Sequence, residues 1–147
     1  MFDLPIPVKG RSHFGSNFWD AYSPKIKRDV NFYSDLEYDH WILVETDSKI
    51  STFCEQPLKI EGIYKGKKSE SIFDMWLLWE NGDNEFVEIK YSKDLLPGSK
   101  QFERVMKQIT LQKEWCIKKG YKYTVKTEKE IRFNYIYLNN MRQYYLI

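Results

Sequence analysis

The chain has 147 residues, of which 42% are hydrophobic, 17% aromatic and 30% charged, with a formal net charge of +2. That is enough apolar material for one domain with its own buried core, and it excludes a disordered tail. No apolar run approaches the roughly 20 residues of a membrane span, and MFDLPIPVKG lacks the charged start and apolar core of a secretory signal, so a cytoplasmic protein without a membrane partner is expected.

Residues 1–33 carry Pro5, Pro7, Gly10, Gly15 and Pro24 among aromatics with no sustained period, which predicts an irregular arm ahead of a domain spanning 34–147. Ser34-x-x-Glu37 has the form of a capping box, and Leu36, His40 and Leu43 follow at helical spacing, predicting a helix over about 35–46. From 49 to 91 the texture turns β-branched and aromatic. KISTFCEQPLKIEGIYKG predicts a strand broken or bent at Pro57, SIFDMWLLWE a buried strand, NGD a tight turn and NEFVEIKYS its hairpin partner, a meander of three strands. After LLPGS, the apolar residues Phe102, Val105, Met106, Ile109, Cys116 and Ile117 recur at helical intervals across 99–119, and Gly120 stands where a glycine ends a helix. YKYTV predicts one more strand, and Thr127-x-x-Glu130 opens a partly helical tail. The order is α-β-β-β-α-β-α, a mixed α/β plan.

Cys54 and Cys116 are far apart and have no Cys or His neighbours, which argues against zinc and for buried free thiols. The small net charge hides an asymmetry. Residues 34–94 hold 14 acids against 7 bases, whereas residues 99–126 hold 8 bases against Glu103 and Glu114. An acidic half suits a cation site; a basic helix suits a polyanion such as duplex DNA, or is a soluble surface.

Two residues stand out against this background. Asp74 interrupts an apolar strand, where a buried carboxylate without a partner would cost several kcal/mol; it either faces the surface, pairs with a lysine, or belongs to a site. On the following strand Phe86, Glu88 and Lys90 share one face, because side chains alternate with a period of two. Alone, Glu88-x-Lys90 reads as a solvated ion pair. Beside Asp74 it reads differently: hairpin pairing brings Asp74, Glu88 and Lys90 to one end of two strands, where two carboxylates and the Ile89 backbone carbonyl can offer hard oxygen ligands to Mg²⁺.

An acid on a preceding helix, then Asp, thirteen intervening residues and Glu-x-Lys resembles the core of the PD-(D/E)xK nuclease superfamily. The segments SDLEYDHWILVETDSKISTFCEQPLKI and FDMWLLWENGDNEFVEIK look like the N-terminal catalytic domain of TnsA, the endonuclease subunit of heteromeric cut-and-paste transposases. GYKYTVKTEKEIRFNYIYLNN is similar to the end of the same domain, so the likeness runs from about residue 30 to the C terminus. The resemblance implies a restriction-endonuclease-like core with a mixed sheet of about four strands flanked by helices. It also implies a Mg²⁺-dependent endodeoxyribonuclease, with Mn²⁺ able to substitute, in which Glu37, Asp74, Glu88 and Lys90 are catalytic and Glu37 joins the metal ligands. A competing reading makes Glu37 the N3 residue of the capping box, with Asp35 and Asp39 as nearby substitutes, and Gln56 the residue that ends a strand before Pro57. Gln56, Lys100, Arg104, Lys107 and Lys113 are the candidate DNA contacts. The implied partners are double-stranded DNA and a DDE transposase subunit, in a prokaryotic or phage setting, and a homodimer is compatible with this. TnsA proteins carry a further winged-helix-like domain for which 147 residues leave no room, so a truncated piece or a single-domain relative is expected. A phage or restriction-type nuclease of the same fold, or a non-catalytic DNA-binding or assembly module, would share these features. No feature encodes a target sequence.

Overall fold

The period-two alternation of the middle of the chain is satisfied by one sheet buried on both faces. The computed structural model describes residues 1–7 and 18–145. Its strands are β1 (Trp19–Ser23), β2 (Arg28–Phe32), β3 (Ile50–Glu55), β4 (Lys59–Tyr64), β5 (Lys67–Ile72), β6 (Met75–Trp79), β7 (Asn84–Ile89) and β8 (Lys122–Lys126). Its helices are α1 (Asp35–Thr46), α2 (Phe102–Lys119), α3 (Glu128–Ile131) and α4 (Tyr135–Tyr145), with a 3₁₀ turn at Ser92–Leu95. The central sheet has the order β3-β6-β7-β8. β3, β6 and β7 pair antiparallel, whereas β7 and β8 pair parallel, with α2 as the crossover that parallel strands require. This is the mixed four-stranded sheet flanked by helices that the sequence predicts.

Alternation sorts the side chains onto two faces. Phe53, Met75, Leu77, Val87 and Ile89 point into one core, shared with α1 and the β1–β2 hairpin. Cys54, Trp76 and Phe86 point into the other, shared with Leu111 and Cys116 of α2, and Phe2 stacks edge-on against Trp76 and Phe86. Both cysteines are free and buried, and burial pushes each thiol up to about 12. Among the described residues no helix is long and apolar enough to cross a membrane.

Three differences from the sequence expectations matter. The arm expected to be irregular contains the β1–β2 hairpin, whose Ala21, Val30 and Phe32 are core residues; Gly10 and Gly15 lie outside the described residues. The segment around Pro57 is two strands in different sheets, with β3 in the central sheet and β4 paired with β5 in a separate hairpin. SIFDMWLLWE is likewise divided at Phe73–Asp74 into the end of β5 and all of β6.

α1 has the predicted bounds but a different environment. Ser34 caps it by accepting from the Glu37 amide at 3.1 Å. The helix is then enclosed on nearly every side, burying Glu37, Asp39, His40 and Glu45 along with its apolar residues. Buried charges need partners, and these are supplied from remote elements. Glu45 accepts from Ser23 Oγ and the Lys25 amide. Lys126 Nζ lies 3.5 Å from His40 Nε2, and burial together with that ammonium holds the imidazole well below the usual histidine range. Asp39 receives Arg132 Nε at 2.9 Å and Arg142 Nε and Nη2 at 2.9 and 2.6 Å, fastening the C-terminal helices to α1.

Removing the acid leaves two half-buried guanidinium groups without their shared partner. Asp39→Ala is expected to destabilise the fold by about 2–4 kcal/mol, read by urea denaturation. Amides of Tyr135–Tyr145 should lose hydrogen-exchange protection ahead of those in the central sheet.

Candidate active site

The site is built where three neighbouring strands end together. In β6 and β7 Met75 pairs with Val87, so Asp74, one residue earlier, comes opposite Glu88, one residue later. On the other side of Asp74, the Gln56 amide donates to the Asp74 carbonyl at 3.0 Å, just beyond the Glu55–Met75 pair of β3 and β6. Gln56, Asp74 and Glu88 are therefore consecutive across the sheet. Lys90, two residues past Glu88, returns to the same face.

The geometry excludes a solvated ion pair. Glu88 is 2% exposed, and its Oε2 lies 3.4 Å from Lys90 Nζ, whose side chain is only 18% exposed. Asp74 is also buried, and its Oδ2 accepts a hydrogen bond from the Ile89 amide at 2.7 Å. Glu88 Oε1 is buried without a hydrogen-bond partner among the described residues. Burial first, and the negative charge of Asp74 second, push the Glu88 carboxyl well above the ordinary carboxylate range, with Lys90 pulling the other way. Two carboxyls and one ammonium are thus packed together with little solvent, and the proton on Glu88 relieves the repulsion between the acids.

The other predicted residues are placed less centrally. Glu37 stands in the first turn of α1, and its Oε2 accepts from Ser34 Oγ at 2.9 Å, a variant of the capping box in which the acid binds the hydroxyl of the cap. Asp35 accepts from Trp19 Nε1 at 2.8 Å and Asp39 is committed to its two arginines, so each of Glu37's neighbours has a structural role. Among the described residues no three His, Cys, Asp or Glu side chains converge as a metal-binding group. Gln56 is buried beside the acids rather than on an outer surface. It holds a left-handed backbone at φ 38°, uncommon for a residue with a side chain, and its Nε2 is buried without a hydrogen-bond partner among the described residues. Lys100, just ahead of α2, is exposed, as are Arg104 and Lys113 on it, and Lys107 is half-buried.

Two contributions went unread in the sequence. Gln112 of α2 is fully buried against the site, donating to Ser71 Oγ at 2.8 Å and accepting from Tyr123 Oη at 2.6 Å. It lies close enough to Glu88 to favour the charged carboxylate, while burial and the two acids push the Tyr123 phenol upward. The available signal was a glutamine in helical phase with Val105 and Cys116, a polar residue on the core face. Glu55, the acid of Glu-Gln-Pro, is held by both terminal nitrogens of Arg28, at 2.8 and 2.7 Å, so that segment is anchored from the β1–β2 hairpin.

Residues 47–128 match the family described as TnsA-like endonuclease N terminal. A search of curated proteins gave no match. The matched span contains Gln56, Asp74, Glu88 and Lys90 and begins after Glu37. It covers all four strands of the central sheet, the α2 crossover and more than half of the chain, and the protein accordingly belongs to the TnsA-like endonuclease N-terminal family.

Proposed function

We propose that the protein is a metal-dependent endodeoxyribonuclease that hydrolyses phosphodiester bonds of duplex DNA, cutting transposon ends alongside a DDE transposase subunit. The observation that carries the reading is the buried cross-strand pair Asp74 and Glu88 with Lys90 beside it, in a chain of this endonuclease family. The donor set suits Mg²⁺, or Mn²⁺ in its place. Mg²⁺ is commonly held by one or two carboxylates together with substrate phosphate oxygens rather than by an all-protein cage, so a pair of acids without a third is sufficient. The buried Oε1 of Glu88 and its raised proton affinity support a position that accepts a cation.

Asp74 and Glu88 would hold the ion, with the Ile89 carbonyl and Glu37 in assisting places. When bound there, Mg²⁺ supplies Lewis-acid polarisation of the scissile phosphate and a lowered pKa for a nearby water. The chain's own groups do the rest. The Ile89 amide fixes the Asp74 carboxylate, so its orientation costs nothing at the moment of reaction. Lys90 places its ammonium beside Glu88, where it can meet charge developing on the phosphoryl oxygens or orient the attacking water. Gln112 and Tyr123 back the carboxylates with hydrogen-bonding groups instead of solvent. Lys100, Arg104, Lys107 and Lys113 are assigned phosphate contacts that position the duplex without reading its bases.

Lys90→Ala is expected to lower strand cleavage by orders of magnitude while DNA affinity, measured with Ca²⁺ in place of Mg²⁺, falls little. Normal cutting by this variant would return Glu88-x-Lys90 to a purely structural ion pair.

A second test uses the Glu88 proton. Because the folded chain binds that proton more tightly than the unfolded one, its contribution to stability is fully present below the ordinary carboxylate range. That contribution is lost as pH rises through the raised value. The melting temperature of metal-free protein should decline across this window, and Glu88→Gln should flatten the decline. Mn²⁺ competes with the proton, so its stabilising shift should grow with pH over the same window. Equal Mn²⁺ shifts in wild type and Asp74→Asn would place metal binding elsewhere.

A further inference from the structure

The β4–β5 hairpin belongs to no part of the catalytic sheet, yet it is rooted in the site. β3 continues through Gln56 into β4, and β5 returns through Phe73 and Asp74 into β6. The ribbon is thus inserted between two adjacent strands of the central sheet, with both strands leaving beside the acid pair. Its register runs from Lys59–Ile72 at the root to Tyr64–Lys67 at the tip. Lys65 and Gly66 close it with φ of 49° and 78°, the two positive values of the tight turn that suits a twisted hairpin. Six residues at about 3.3 Å each carry the tip about 20 Å from Asp74.

The ribbon is braced for its whole length against α2. Ser71, near the root, accepts from Gln112 at 2.8 Å. Gly62, midway, lies so close to the helix that a Cβ there would come within 2.8 Å of Leu111 Cδ2. Lys65, at the tip, pairs with Glu103 in the first turn of α2 at 3.3 Å. These contacts run backwards along the helix, so the tip lies at its N-terminal end, beside Arg104 and near Lys100. The tip is open to solvent and carries more lysine than acid: the side chains of Lys65 and Lys68 are 70% and 76% exposed, Lys65 pairing with Glu103 and Lys68 with Glu61 at 3.5 Å in surface ion pairs, and Lys67 is exposed between them. Lys113, Lys118 and Lys119 lie toward the other end of α2. The basic half of the chain is therefore split in space, and lysines from the acidic half join only one of its ends.

We propose that the tip of the β4–β5 ribbon, with the first turn of α2, is a second duplex-binding surface. It holds backbone phosphates about 20 Å, or about six base pairs, from the bond being cut. The partner is double-stranded DNA because a rigid two-stranded ribbon carrying lysines matches a regularly spaced line of phosphates and fits a groove of the duplex. The inference rests on the nuclease reading for its substrate and adds to it the element that sets how far along the duplex the protein reaches.

The test compares wild type, Lys67→Ala/Lys68→Ala and the charge-matched Lys118→Ala/Lys119→Ala on one duplex, binding in Ca²⁺ and cleavage in Mg²⁺. The ribbon variant is expected to bind about ten-fold more weakly near physiological salt, with a salt dependence flatter by roughly two units of slope. The helix-end variant should match wild type. Hydroxyl-radical footprints should show the ribbon variant losing protection only at phosphates remote from the cut. Equal binding and footprints for the two variants, with cleavage intact, would overturn the ribbon surface and leave the nuclease standing. Ribbon-dependent binding without cleavage by wild type would support the surface and sink the nuclease. Failure of wild type to bind duplex DNA would overturn both.

Discussion

The hydrogen bond from the Ile89 amide to the Asp74 carboxylate is the hinge on which this architecture turns. Pairing of β6 with β7 stops at Met75–Val87, and an amide just beyond the last rung needs an acceptor once it is buried. Asp74 supplies it with a side chain instead of a backbone carbonyl. One contact therefore closes the ladder, fixes a carboxylate opposite Glu88, and lets the chain depart from the sheet as a separate ribbon. An acid in the middle of an apolar run is costly as packing but accounts for all three.

Much of this was legible. The capping serine, the helix after it, the turn at Asn81–Gly82–Asp83, the basic helix and the glycine that ends it are local features. Ser34 caps α1, and Gly120 adopts the left-handed conformation at φ 75° with its amide returning to the last turn. The register that sets Asp74 against Glu88 follows from the same turn, since hairpin geometry propagates along both strands. What stayed hidden depends on tertiary contacts. The β1–β2 hairpin is short and punctuated by Pro24, and it holds together because Ala21, Val30 and Phe32 are buried against α1. The division of SIFDMWLLWE at Asp74 does not follow from β propensity, because both halves are strand-like; it follows from the demand of the Ile89 amide. Gln112 looked like any polar helical residue until the helix was docked.

α1 shows how far tertiary structure can override a local pattern. Its sequence suggested one apolar flank, yet it is enclosed with three acids and a histidine buried. Burial of that kind is eased by partners brought from a distance: Ser23 for Glu45, Lys126 for His40, and two arginines for Asp39. The same helix carries Glu37 at its N terminus, so the partners that hold α1 also fix where that acid stands relative to the sheet. Arg28 performs a similar service for Glu-Gln-Pro, gripping Glu55 beside Gln56.

The parallel pairing of β7 with β8 bears on when the site comes into being. β6 and β7 are joined by a tight turn and can meet early, but β8 reaches β7 only after the segment 90–121 has closed into a loop and α2 has folded back across the sheet. Contacts between residues so distant in sequence carry a loop-closure cost before they return any stability, and they form late. Gln112 and Tyr123 arrive with that step, and with them the shielding that makes the end of the sheet dry. The two acids are therefore neighbours in a nascent hairpin, still hydrated, before burial closes over them. The raised proton affinity of Glu88 is a property of the completed chain, acquired when the crossover locks into place.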